Sequence, residues 1–140
     1  EHGDLLELTA GYPFPVSNSC AAQELKNFGV SNVQAWIELE QKAVEELVRN
    51  NPVETEIYRY GRPFILATRA RIDTSGRIDD PRGKQFYVAA DNEGELTYLY
   101  PHAMIRLPHI SGCHSFYDYR SEGLFEEKTE SSFNFFTELV

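Results

Sequence analysis

What most constrains this chain is a rhythm near its start, where extended apolar runs alternate with short amphipathic ones. Leu5 to Val16 is apolar and broken by Gly11, Pro13 and Pro15, the pattern of a strand running into a turn. Ser17-Asn18-Ser19 then offers side-chain oxygens to free backbone N–H groups, as a helix start requires. Ala21, Ala22, Leu25 and Phe28 follow at helical spacing, and Gly29 suits a left-handed stop, so the spacing predicts a helix over Ser19 to Phe28. Val30 to Ile37 alternates as a strand. Glu40 to Arg49 carries the stripe Ala43, Val44, Leu47 and Val48 of a second helix, ended by Asn50-Asn51-Pro52 because proline cannot continue the hydrogen-bond ladder. Val53 to Tyr60 alternates again. Strand, helix, strand, helix, strand with short connections is the pattern of a parallel sheet flanked by helices.

The rhythm changes at Gly61. Phe64 to Thr68, Gln85 to Ala90 and Leu96 to Tyr100 read as short strands, with a polar loop over Asp73 to Lys84. Asp91-Asn92-Glu93-Gly94 is a hairpin turn, since Gly and Asn accept positive φ. Met104 to Ile110 is short and apolar, open to either strand or helical turn. Ser115 to Tyr119 reads as a strand. Ser121 to Leu139 reads as a closing helix with Leu124, Phe125, Ser132, Phe136 and Leu139 roughly on one side. The expected class is therefore α/β, in three parts: β/α units over 1–62, an antiparallel β-rich insertion over 63–101, and a closing strand and helix over 102–140. Three or four parallel strands leave edges and faces open to water. The expected partner is thus a second copy in a homo-oligomer, or a missing N-terminal half.

The chain has 140 residues, enough for one domain with a core of its own. Its formal net charge of -9 repels phosphate backbones and argues against nucleic acid as a partner, despite a basic strip from Arg59 to Lys84 that includes Arg62, Arg69, Arg71, Arg77 and Arg82. No apolar run approaches the roughly 20 residues that span a bilayer, so no membrane partner is expected. The two cysteines, Cys20 and Cys113, demand no disulfide framework; a reducing, cytoplasmic setting is the simpler expectation. Cys20 reads as a small buried residue beside Ala21 and Ala22. Cys113 and His114 are neighbours in sequence, which on a strand sends them to opposite faces. His102, His109 and His114 lack metal-ligand spacing and read as scattered loop histidines; no metal or other cofactor is expected. The loop from Thr74 to Arg77 with Asp79 to Lys84 lacks the spacing of a phosphate cradle.

Several segments look familiar in their order. Leu8-Thr9-Ala10-Gly11-Tyr12-Pro13-Phe14-Pro15-Val16-Ser17-Asn18, then Ala21 to Val30, then Ala35-Trp36-Ile37-Glu38-Leu39 are similar to consecutive segments of the U-32 (collagenase-like) peptidase family. Val53-Glu54-Thr55-Glu56-Ile57-Tyr58-Arg59-Tyr60-Gly61-Arg62 resembles that family's final barrel strand. Asp79-Asp80-Pro81-Arg82-Gly83-Lys84-Gln85-Phe86-Tyr87-Val88 resembles its later hairpin. The resemblance covers about Leu8 to Leu107. It implies a partial (β/α)-barrel-like parallel sheet, a C-terminal portion of a domain that acts on peptide or protein substrates by peptide-bond hydrolysis, inactive alone. Some family members instead carry an iron–sulfur cluster and hydroxylate RNA bases or quinone precursors. Their cysteines follow the last barrel strand, where this chain reads Phe64-Ile65-Leu66-Ala67-Thr68-Arg69-Ala70-Arg71-Ile72 without one. A cluster usually needs four thiolates, so the departure weighs against that chemistry. A non-catalytic binding or assembly module is the alternative.

Barrel enzymes build their sites at the C-terminal strand ends. The resemblance therefore points to Glu38 and Glu56 as candidate catalytic carboxylates, with Asn18, Arg62 and Arg69 as candidate substrate-binding residues. A glutamate can serve as general base toward water. A charge on a buried strand needs a partner, so Glu56 is expected to pair with Arg62 or Arg69, or else to lie on an exposed face.

Overall fold

The computed structural model describes residues 6–91, 93–120 and 130–134. Two sheets divide them. The first holds β1 (Thr9–Ala10), β2 (Asn32–Gln34), β3 (Glu54–Gly61), β8 (Ile105–Arg106) and β9 (His114–Tyr117). The second is antiparallel, in the order β4 (Leu66–Thr68), β7 (Thr97–Pro101), β6 (Gln85–Ala90), β5 (Gly76–Asp79). The chain is thus a mixed α/β fold in which parallel β1, β2, β3 and β9 share a sheet with antiparallel β8, and no barrel closes among the described residues.

The expected helices form as α1 (Ser19–Asn27) and α2 (Gln41–Asn50). Asn18 caps α1 by accepting the Ala21 amide at 2.9 Å. Ala22 of α1 packs with Val16 and Val33, and Val44 and Leu47 of α2 pack with Ala35 and Ile57. Both helices therefore cover the face of β2 and β3 that carries Val33, Ala35 and Ile57. Period-2 alternation sends Gln34 and Glu56 to the other face. A third cluster, Ile37, Tyr58, Ile105 and Leu107, ties β8 to the same frame.

β3 is the hub, pairing with β2, β8 and β9. Its burial alternates through Thr55 and Ile57, and Tyr58 on the opposite face is buried as well, against Tyr12 and Phe116. Past Tyr58 the register shifts against β9: Tyr58 faces Phe116, but Tyr60 faces Tyr117. The extra residue, Arg59, makes a bulge that reverses the facing of everything after it.

Several details differ from the pattern in the sequence. Leu5 to Val16 yields only the two-residue β1 and an isolated bridge from Val16 to Ala35, because Gly11 and two prolines interrupt the ladder. Asp73 to Lys84 is no plain loop: β5 lies inside it and pairs with β6, its Gly, Arg and Asp standing on an edge where polar side chains are at home. Phe28 ends α1 but is 81% exposed. Of the expected closing helix, 121–129 and 135–139 lie outside the described residues, as does Asn92 of the hairpin turn. Within 130–134 there is a turn at Phe133 and Asn134, with Asn134 at φ 57, so no single helix runs through this stretch. Among the described residues no helix is long and apolar enough to cross a membrane.

Candidate functional site

The C-terminal ends of β2, β3 and β9 gather ionisable and aromatic side chains. Beyond β9, Asp118 is buried while its neighbour two residues on, Arg120, has a side chain 85% exposed. Asp118 accepts four hydrogen bonds: Tyr58 Oη at 3.0 Å, Arg120 Nε at 2.8 Å, Arg120 Nη2 at 2.6 Å and the Arg120 amide at 3.1 Å. The paired guanidinium and the other donors hold the Asp118 carboxyl below the usual carboxylate range, against the opposing effect of burial. Burial pushes the Tyr58 phenol up, and the Asp118 charge and hydrogen bond add to that. The result is a fixed triad in which a buried carboxylate aims an exposed guanidinium at solvent.

Gly61 makes the triad possible. Its φ of 139° belongs to the region L side chains rarely enter. A Cβ there would lie 2.6 Å from both Asp118 Cβ and Tyr58 Oη. The end of β3 thus approaches the residues after β9 as closely as it does only because this position is glycine.

Tyr12 forms the next part of the cluster. Its ring stacks on Trp36 at 5.7 Å, meets Tyr58 edge-on at 6.0 Å and leans on Phe64 at 5.0 Å, while its hydroxyl donates to the Phe64 carbonyl. Burial, then the charge of Glu38, then Tyr100, push its phenol up. Tyr98 and Tyr100 of β7 continue the aromatic chain through Phe64, at 5.1 and 6.5 Å. Tyr100 is raised by burial and feels Arg62, Arg120 and Asp118 together. The wall that results is aromatic in body and charged at its rim.

The sequence candidates fall in different places. Glu38 is exposed in the turn after β2, beside Tyr12. Glu56 lies half-buried on the rung shared with Gln34 and His114, and accepts Gln34 Nε2 at 2.8 Å. Its partner is therefore Gln34 and not Arg62 or Arg69: an amide already satisfies it from the adjacent strand. Gln34 in turn accepts the Tyr12 amide at 2.8 Å, so Glu56 belongs to a sheet-spanning polar chain. No hydrogen bond joins Glu38 to Glu56, and they do not form an acid–base pair among the described residues. Asn18 is engaged as the α1 cap. Arg69 is exposed just past β4. Arg62 is only 6% exposed; its Nε donates to the Pro101 carbonyl at 2.8 Å and its guanidinium lies 5.0 Å from the Tyr87 ring and 4.9 Å from the Tyr100 ring.

The cysteines and histidines are also placed. Cys20 is exposed on the first turn of α1, contrary to the expectation of burial, because only Ala22 of that turn faces the core. Cys113 is half-buried; burial pushes its thiol up and its Sγ reaches the Ile110 carbonyl at 3.2 Å, which suits packing better than attack. His114 opens β9 and bonds Glu54 at 2.9 Å, at the opposite end of the sheet from Asp118. Among the described residues no group of three or more His, Cys, Asp or Glu is placed to hold a metal ion.

Sequence reasoning missed Tyr12, Tyr58, Tyr100, Asp118 and Arg120. One signal was available. Asp118-Tyr119-Arg120 follows a strand, and a carboxylate and a cation two apart at a strand end can pair on one side. No family model, curated protein or solved structure matches this chain.

Proposed function

We propose that this chain is part of a U-32-type peptidase domain and supplies a substrate-facing wall, with the bond-cleaving groups lying outside it. The observation that supports this reading is the Tyr58–Asp118–Arg120 triad at the C-terminal ends of parallel strands, where barrel folds bind substrate. Arg120 offers a charge-assisted fork to a peptide carbonyl or carboxylate. Tyr98 and Tyr100 offer flat apolar area beside it. The residues first suggested as catalytic take lesser parts: Glu38 stands at the rim beside Tyr12, and Glu56 braces the sheet.

Binding of gelatin-derived peptides, followed by fluorescence anisotropy, tests the reading. Saturable binding is expected, weakened at least ten-fold by Arg120→Gln at a temperature where circular dichroism shows the variant still folded, and no peptide fragments should appear by mass spectrometry. Equal binding by the variant, or none by the parent chain, would remove the reading. A second reading, a binding module with no part in hydrolysis, draws on the ion pairing of the triad, whose charged groups already neutralise one another. Fragment release when the chain is combined with a separately supplied remainder of such a domain would decide against it.

A further inference from the structure

β9 leaves one edge of the first sheet open. Among the described residues it pairs with β3 alone. The Asp118 amide donates to the Tyr60 carbonyl at 2.8 Å. Successive residues of a strand turn their backbone groups to opposite edges. Phe116 therefore faces β3 as Asp118 does, while Ser115 and Tyr117 turn their N–H and C=O groups outward. We propose, resting on the peptide-binding reading above, that an extended peptide with a free C-terminal carboxylate adds to this edge as a further strand. It lies parallel to β9 and ends with its carboxylate on Arg120.

Sheet edges are ordinarily guarded by short length, charge, proline or a bulge. The other edges here are guarded: β1 has two residues and β4 three, and β5 carries the Arg77–Asp79 ion pair. β9 reads His114-Ser115-Phe116-Tyr117, without proline, lysine or acid, and the extra residue in its pairing lies on β3. Phe116 is 36% and Tyr117 44% exposed, and as strand neighbours they stand on opposite faces. The alternating side chains of an added strand thus meet an aromatic ring on either face, while main-chain bonds supply the affinity.

Charge sets the direction. Arg120 lies past the C-terminal end of β9, and Asp118 takes its Nε and Nη2. A guanidinium has several N–H donors, so the outer hydrogens of Nη1 and Nη2 remain as a second fork for a carboxylate. At the other end Glu54 lies 2.9 Å from His114 Nε2. A peptide running antiparallel to β9 would bring its carboxylate toward Glu54 and its ammonium toward Arg120. The parallel direction replaces both like-charge meetings with opposite-charge ones. About six residues at ~3.3 Å each span the stretch from His114 to Arg120.

The probe is a peptide of that length, alternating valine and threonine and ending in phenylalanine, made as the free acid and as the C-terminal amide. By isothermal titration the acid should bind the parent chain at least ten-fold tighter than the amide. In hydrogen exchange on the peptide-saturated chain, the Ser115 and Tyr117 amides should slow at least ten-fold and the Phe116 amide should change little. Equal binding of acid and amide overturns the proposal. So do Ser115 and Tyr117 amides that the bound peptide leaves unslowed, a result that keeps the peptide-binding reading intact. If neither form binds while gelatin-derived peptides do, the edge alone is wrong; if none of them binds, the peptide-binding reading falls with it. Amides already slow without peptide, in a chain that sediments as a dimer, would give the edge to a second copy and overturn the proposal.

Discussion

A single glycine decides whether the candidate site exists. Gly61 stands at positive φ with Tyr58 Oη and Asp118 Cβ crowded against the place a side chain would take. Neither neighbour can yield cheaply, since Asp118 is held by four bonds and Tyr58 is buried against Phe116 at 5.3 Å. Gly61→Ala combines backbone strain with overpacking, together a loss of about 3 kcal/mol. Urea denaturation should show the midpoint falling at unchanged slope. A midpoint within experimental error of the parent would mean that β3 and the residues after β9 are free to separate. This position was visible in the sequence only as the place where the α/β rhythm stops. Why it had to be glycine depends on Asp118, 57 positions away (118 − 61), and no local pattern carries such a contact.

Elements were more legible than sites. α1 and α2 formed within a residue or two of their expected bounds, because their caps and apolar stripes are local properties. β6 and β7 flank the expected hairpin for the same reason. β5 was missed because Gly76-Arg77-Ile78-Asp79 has one apolar residue, and its pairing with β6 is a tertiary contact. Asn18 shows how an element can claim a residue that a resemblance assigns to a site. Its side chain is exposed and bonded to the Ala21 amide. Asn18→Ala should cost about 1 kcal/mol of stability, as lost N-caps do, while Asn18→Asp should cost little. Thermal denaturation of both variants separates the roles. If Ala and parent melt together while peptide binding drops, Asn18 serves the ligand and not the helix.

A buried cation helps to join the two sheets. Arg62 follows β3, the hub of the first sheet, and lies over Tyr87 of β6 and Tyr100 of β7, which are directly paired across the second. Its bond to the Pro101 carbonyl closes the link. Burial makes the guanidinium easier to deprotonate than usual, and Tyr100 and Tyr87 partly oppose that effect. The flanking contacts are aromatic: Tyr12 on Phe64, and Phe64 on Tyr98 and Tyr100. Such rings add area without direction, whereas the planar guanidinium fixes the angle at which the sheets meet. Lysine keeps the charge but cannot reproduce a flat group stacked on two rings while donating from Nε. Arg62→Lys should therefore loosen the second sheet before it unfolds the first. In native-state hydrogen exchange, amides of β6 and β7 should lose protection while those of β2 and β3 keep theirs, because local opening follows the weakest interface. Arg62→Met, which fills space without a charge, should lose less stability than Arg62→Ala, since removing bulk leaves a cavity as well as unpaired groups. Uniform loss of protection in both sheets would mean that they unfold as one cooperative unit, with Arg62 no more than one contact among many.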